Sequence, residues 1–302
     1  MSHNSAQTVL RQEQFDTLRA IVYAHVGMHF PDSKKSVLES RLARRVSELK
    51  LESFDQYVQY LTIAPDRDAE LQEMLSRVTV NHTSFFRDPQ QLEYLRSTAL
   101  PRLIESKRRD RSLRIWSAAC SSGEEAYTLA VLVHQALGER LPDWRVEILG
   151  TDVSAKALAA AQQARYTDES VRAVDPAVRE RYFRQDGPYW SPDPLVRSMV
   201  SFDSHNLKDR LGAKRYGTWD AIVCRNALIY FDDAMKSRVA SMFADQLGEN
   251  GWLAVGASES IDPSNAPLAA RGDGPSRLYH PAPQAQGATP AAGHVSQPLR
   301  LA

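Results

Sequence analysis

Glu125, Asp152, Asn206, Leu207, Arg225, Asn226 and Tyr230 are the residues whose types and spacing could do chemistry. A nucleoside site needs an open turn, an acid for the ribose hydroxyls, and contacts for the base. Cys120-Ser121-Ser122-Gly123-Glu124-Glu125 supplies the turn. It comes after the apolar run Ile115-Trp116-Ser117-Ala118-Ala119 and leads into Ala126-Tyr127-Thr128-Leu129, so it reads as strand, small-residue turn and helix start. Glu124 and Glu125 fall in the first helical turn, where the helix dipole favours negative charge. Asp152 ends a second inner strand, roughly 30 residues further on, where a doubly wound sheet places a ribose-binding carboxylate. The alternative role for Asp152 is a second cap for the helix after Ser154. No Gly-x-Gly-x-x-Gly fingerprint occurs, and the turn carries acids without a basic residue. That excludes a pyrophosphate cradle and suits a neutral-to-cationic nucleoside.

Asn206-Leu207, at another strand end, could hold the edge and face of a base, or Asn206 could simply form a loop. Arg225-Asn226 leaves the buried run Trp219-Asp220-Ala221-Ile222-Val223-Cys224 at the sheet edge where ligands bind. An arginine there is costly unless partnered, by a ligand or by a structural ion pair. Tyr230 is either a core ring or a group at the reacting centre. Asn81, Thr83 and Arg87 stand beside Phe85-Phe86. They either satisfy local backbone, or close over the cofactor and hold an anionic acceptor.

These residues need elements to position them. Residues 1–77 read as a helical domain, because Phe15, Leu18, Ile21, Val22, His25 and Val26 recur at helical spacing, as do Val37, Leu38, Leu42, Val46 and Leu49. The second helix turns Lys34, Lys35, Arg41, Arg44, Arg45 and Lys50 to its other face, opposed by only Glu39 and Glu48, which by itself reads as a solvated surface. Residues 78–89 form a connection whose two Phe residues demand burial, so it docks against the next domain. Asp88-Pro89 caps a helix running to about Lys107. Residues 90–281 alternate strand and helix, predicting a doubly wound, Rossmann-like α/β sheet. A small β hairpin or meander is expected over residues 187–203, and Arg277-Leu278-Tyr279 as a last edge strand. Residues 282–302, mostly Pro, Ala, Gly and Gln, cannot bury enough apolar area to order themselves.

The totals bound the class. Apolar residues make up 43% and charged residues 25%, ordinary for a globular protein. Lys+Arg and Asp+Glu are both 37, so no global field attracts nucleic acid or membrane. No run reaches transmembrane length, and MSHNSAQ is too polar for a secretory signal. Two cysteines, Cys120 and Cys224, make no disulfide framework and no metal site, so a cytoplasmic protein with reduced thiols is expected.

Taken together, Asn81-x-Thr83-x-Phe85-Phe86-Arg87, Trp116 to Tyr127, Asp152, Asn206-Leu207 and Cys224-Arg225-Asn226-x-x-Ile229-Tyr230-Phe231 occur in an order that resembles the CheR family of chemotaxis receptor glutamate O-methyltransferases. The resemblance covers about residues 10 to 280. It implies an all-α N-terminal domain before an S-adenosylmethionine methyltransferase sheet with a small β subdomain insert. It implies S-adenosylmethionine as cofactor and glutamates of a methyl-accepting receptor's cytoplasmic helical bundle as substrate. By that pattern Asn81, Thr83, Arg87, Glu125, Asp152, Asn206, Leu207, Arg225 and Asn226 contact the cofactor, and Arg87 and Tyr230 lie closest to the transferred methyl. Lys34, Lys35, Arg41, Arg44 and Arg45 would then face acidic receptor helices. A monomer recruited from the cytoplasm to receptor arrays, with no nucleic-acid partner and no membrane insertion, is the corresponding expectation. Ala126 departs from the usual proline and His82 from an aliphatic residue. The β insert, which can dock a receptor's C-terminal peptide in the family, is short here.

The chemistry agrees with the residues. A glutamate, with a pKa of about 4.3, is ionised at neutral pH, so methyl transfer to it needs no general base. No Ser/His/Asp or paired-carboxylate arrangement is evident. The competing readings are a non-catalytic S-adenosylmethionine sensor or scaffold and a methyltransferase with another acceptor. Against a nucleic-acid or amide acceptor, the strand end at Arg225-Asn226 lacks the Asn/Asp-Pro-Pro-aromatic element such enzymes usually carry.

Overall fold

The computed structural model describes residues 9–79 and 82–282. Asn81 and the tail expected to lack order therefore lie outside the described residues, apart from Ala282. Four helices form the first unit: α1 (Gln12–Val26), α2 (Lys35–Glu48), α3 (Phe54–Ile63) and α4 (Arg67–Val78). Their apolar stripes meet in one core around Phe15, Leu18, Leu38, Leu42, Phe54, Tyr57 and Met74. Gly27 ends α1 in the left-handed conformation, φ 75°, and a Cβ there would come within 2.8 Å of Met235. This stop aims the chain at Met28 towards the second unit.

The connection is docked, as its two Phe residues require. Phe85 is fully buried between the rings of Tyr166 and Phe183, each centroid 4.8 Å away and edge-on. Burying such a ring stabilises by roughly 1.5–3 kcal/mol. The amide of Phe86 donates to Thr128 Oγ1 at 3.2 Å. Helix α5 (Pro89–Tyr94) then passes through a π-helical stretch, Leu95–Ala99, into α6 (Leu100–Ser106). Asp88 is the N-cap of α5, with Pro89 first in the helix, but its φ is 58° and its side chain makes no cap bond.

The second unit adds β1 (Ser112–Ala118), α7 (Glu124–Leu137), β2 (Arg145–Asp152), α8 (Ala155–Gln163), β3 (Tyr166–Thr167), α9 (Asp168–Val171) and α10 (Pro176–Tyr182). It continues with β4 (Phe183–Asp186), β5 (Tyr189–Pro192), α11 (Pro194–Ser198), β6 (Val200–Ser204), α12 (Arg210–Ala213) and β7 (Trp219–Cys224). Last come α13 (Asp233–Gln246), β8 (Leu247–Val255), β9 (Leu268–Arg271) and β10 (Leu278–Pro281). The seven-stranded sheet has the order β6-β2-β1-β7-β8-β10-β9. β6, β2, β1, β7 and β8 run parallel, and β10 pairs antiparallel with β8 and β9. Ile115 and Trp116 of β1 enter different cores on the two faces, which is why the strand reads as continuously apolar. The chain leaves β1 for β2 on one side, and β7 fills the other, so their carboxyl ends flank a crevice.

Two sequence expectations are corrected. The stretch around 187–203 is not a self-contained hairpin. The small sheet has the order β3-β5-β4, reaching back to Tyr166, while Val200–Ser204 joins the main sheet beside β2. Asp193-Pro194 divides the two, because Asp193 Oδ1 accepts the Leu195 amide and starts α11. β10 is interior rather than an edge, since β9 pairs outside it.

Candidate active site

The crevice holds an open cleft with about 900 Å³ of empty space, solvent at its mouth included. Thr83, Arg87, Glu125, Asp152, Asn206, Leu207, Arg225, Asn226 and Tyr230 all line it. Val26, Met28 and Thr79 of the helical unit and its exit line it too, as do His82, Ala119, Val153, His205 and Phe231.

Its floor is the turn after β1. Ala119 and Ser121 hold positive φ angles of 63° and 50°, and Gly123 is at 93°. A Cβ at Gly123 would lie 2.9 Å from that of Ala161, so packing and dihedral both require glycine. Left-handed backbone in non-glycine residues is costly and gathers at ligand sites. Asp152 fastens this turn: Oδ2 accepts the Ser121 amide at 2.8 Å and Oδ1 the Ser154 amide at 2.9 Å. It thus serves the cap-like role and faces the cleft as well. Burial pushes its pKa up, against the pull of those amides.

Glu125 and Arg225 form a buried pair. Glu125 Oε2 accepts from Arg225 Nε at 2.7 Å, and Oε1 accepts from the Ser117 hydroxyl at 2.7 Å. Burial raises the Glu125 pKa, and Arg225 partly offsets this. Arg225 also donates to the Arg87 carbonyl at 2.8 Å and stands 3.7 Å from Asp88 Oδ2. Both thiols, Cys120 and Cys224, are pushed well up by burial and carry no nucleophile.

The mouth is basic and aromatic. Burial raises the Tyr230 phenol pKa, and the charges of Arg41 and Arg87 pull it back. Arg87 donates to the His82 carbonyl at 2.9 Å, and Arg41 to that of Val78. Among the described residues neither pairs with a carboxylate. Tyr230 is held by the first unit, because His29 N donates to its carbonyl at 2.8 Å and Met28 bridges to Phe231.

The other basic residues of α2 and of the turn before it separate. Lys34 and Arg44 are exposed and Lys35 half-exposed. Arg45 grips buried Glu70, with Nε 3.0 Å from both carboxylate oxygens, and it also reaches Glu48. Asn206 reaches the cleft, but its amide nitrogen donates to the His25 carbonyl at 2.5 Å and its oxygen accepts the Lys208 amide at 3.0 Å. Its side chain is therefore turned to α1. Glu259 escapes sequence reasoning altogether; the signal was there, an acid just past the carboxyl end of β8, the same rule that finds Asp152.

Comparison with known proteins agrees in both units. Residues 13–79 match the CheR methyltransferase all-alpha domain and residues 81–271 the CheR methyltransferase SAM binding domain. The chain belongs to the CheR methyltransferase family. It is 34% identical over 245 residues to a probable chemotaxis protein methyltransferase of Rhizobium etli, covering 80% of this chain and 90% of that one. The chemotaxis protein methyltransferase of Borreliella burgdorferi is 30% identical over 259 residues, covering 83% and 89%. That of Salmonella typhimurium is 32% identical over 262 residues, covering 83% and 85%.

CheR membership makes S-adenosylmethionine the cofactor, and the cleft fits it. The left-handed turn opens backbone to a nucleoside, and Asp152 presents a carboxyl to the cleft. The chain is accordingly an S-adenosylmethionine-dependent methyltransferase of the chemotaxis type.

Proposed function

We propose that this methyltransferase esterifies glutamate side chains of chemoreceptor cytoplasmic helical bundles. The observation that carries this reading is Arg87, which lines the same cleft as Tyr230 and has no acidic partner among the described residues. A carboxylate acceptor arrives ionised and needs cations to hold it. When bound, S-adenosylmethionine supplies an electrophilic methyl on a sulfonium.

The protein's own residues do the rest. Arg87 grips the incoming carboxylate, and its planar fork fixes the angle of approach. Tyr230, a phenol already protonated at neutral pH, has its pKa pushed further up by burial, and its ring tolerates the cationic centre. Both groups align the reactants and exclude water, which is where the rate enhancement arises. Asn81, Thr83, Arg87, Glu125, Asp152, Asn206, Leu207, Arg225 and Asn226 hold the cofactor in this reading. The exposed cations Lys34 and Arg44, with half-exposed Lys35 and Arg41, steer acidic receptor helices to the mouth. The enzyme works as a cytoplasmic monomer recruited to receptor arrays. Among the described residues no helix is long and apolar enough to cross a membrane.

Transfer of tritiated methyl from S-adenosylmethionine to purified receptor cytoplasmic fragments tests the proposal. Label released by mild base identifies a carboxyl ester. Base-stable label, or none on any receptor fragment, refutes it.

A further inference from the structure

We infer that Glu259 is a positioning residue for methyl transfer, acting through the backbone of the loop that carries Arg225, Asn226 and Tyr230. The inference deepens the proposed reading and rests on it for the identity of the reaction. Glu259 is only 6% exposed and does not line the cleft. Its Oε2 accepts the amides of Asn226 and Gly256, each at 2.7 Å, and its Oε1 accepts the amide of Ile229 at 3.1 Å. No Lys or Arg pairs with it among the described residues; three backbone N–H groups compensate its charge.

Those amides determine where the loop goes. Asn226 is held at φ 60°, a left-handed turn that sends Arg225 inward to Glu125 and turns the chain towards Tyr230. Ile229 lies in the 3₁₀ turn Leu228–Tyr230, whose far end is pinned by His29. The loop is thus fastened at its far end by the helical unit and from behind by Glu259. Gly256 completes the seat: a Cβ there would stand 2.6 Å from Glu259 Oε2 and 3.2 Å from the Asn226 amide nitrogen.

The carboxylate is required because both oxygens accept. Glu259→Gln turns an NH₂ group towards at least one amide donor. Gly256→Ala displaces the carboxylate without removing it. Either variant should weaken binding of S-adenosylhomocysteine about tenfold by calorimetry. Each should lower kcat on a receptor fragment by roughly tenfold to a hundredfold, with KM for that fragment within about twofold. Glu259→Asp should recover part of both losses. In the unmodified protein the amides of Asn226 and Ile229 should exchange with deuterium as slowly as those of β7. Native affinity and kcat in both variants, or fast exchange at those amides, overturns the inference, and exchange decides it if the variants fail to fold. Failure of the wild type to methylate any receptor fragment would instead remove the proposed reaction while leaving the affinity and exchange results to stand or fall alone.

Discussion

Arg225 Nε meets Glu125 Oε2 at 2.7 Å, joining the end of β7 to the first turn of α7 across the floor of the cleft. The two side chains are 3% and 10% exposed, so each charge depends on the other. Arg225→Met should cost about 3–5 kcal/mol in denaturant unfolding, because it strands a buried carboxylate. Arg225→Met combined with Glu125→Leu should regain most of that stability. Calorimetry should still find cofactor affinity lost in the double variant, separating the role in folding from the role in binding.

Arg87→Ala and Tyr230→Phe should depress turnover more than affinity. A loss of roughly a hundredfold in kcat is expected for Arg87→Ala. Single-turnover kinetics alongside S-adenosylhomocysteine titration measures the two separately. Equal losses in both would assign these residues to cofactor binding alone.

Reversing exposed charge on α2 and the turn before it should affect the substrate only. Lys34→Glu with Arg44→Glu should raise KM for a receptor fragment severalfold at low ionic strength, and the difference should fade towards 1 M salt, where the screening length is about 3 Å. Arg45→Ala should behave otherwise, losing stability because Glu70 is buried beneath it.

Burial depresses the pKa of His205 below its ordinary value. Between that depressed value and about 6.5 the unfolded chain binds a proton that the folded chain refuses, so stability rises with pH across this window. His205→Leu should therefore flatten the dependence of the midpoint of thermal unfolding on pH between 5 and 7. An unchanged slope would show that other groups, such as His134 and His280, whose pKa values burial also lowers, dominate.

Much of this was legible in the sequence. The helical unit shows in the spacing of Phe15, Leu18 and Val22, and the sheet in runs such as Trp219 to Cys224, because each is buried in one repeating way. Nine of the ten residues assigned to cofactor or catalysis line one cleft; Asn81 lies outside the described residues. What sequence missed depends on contacts distant along the chain. β4 has one apolar residue and exists through its pairing with β5. Arg45 looks like Arg44 in composition, yet only the fold reveals Glu70 beneath it. Glu259 stands just past β8, where the rule that finds Asp152 would have flagged it, but the amides it accepts leave no trace in side-chain type. The role of Val26 and Met28 as cleft lining comes from how two units meet.

The end of α1 reaches into the second unit, where Asn206 donates to the His25 carbonyl and Lys208 to that of Ala24. One wall of the nucleoside cleft therefore belongs to a different folding unit from its floor. A ligand that touches both is a linker, and linkage is reciprocal. Occupancy should knit the halves together and protect the junction between them from proteases, and a receptor that tugged on the bundle would be felt as altered retention of spent nucleoside.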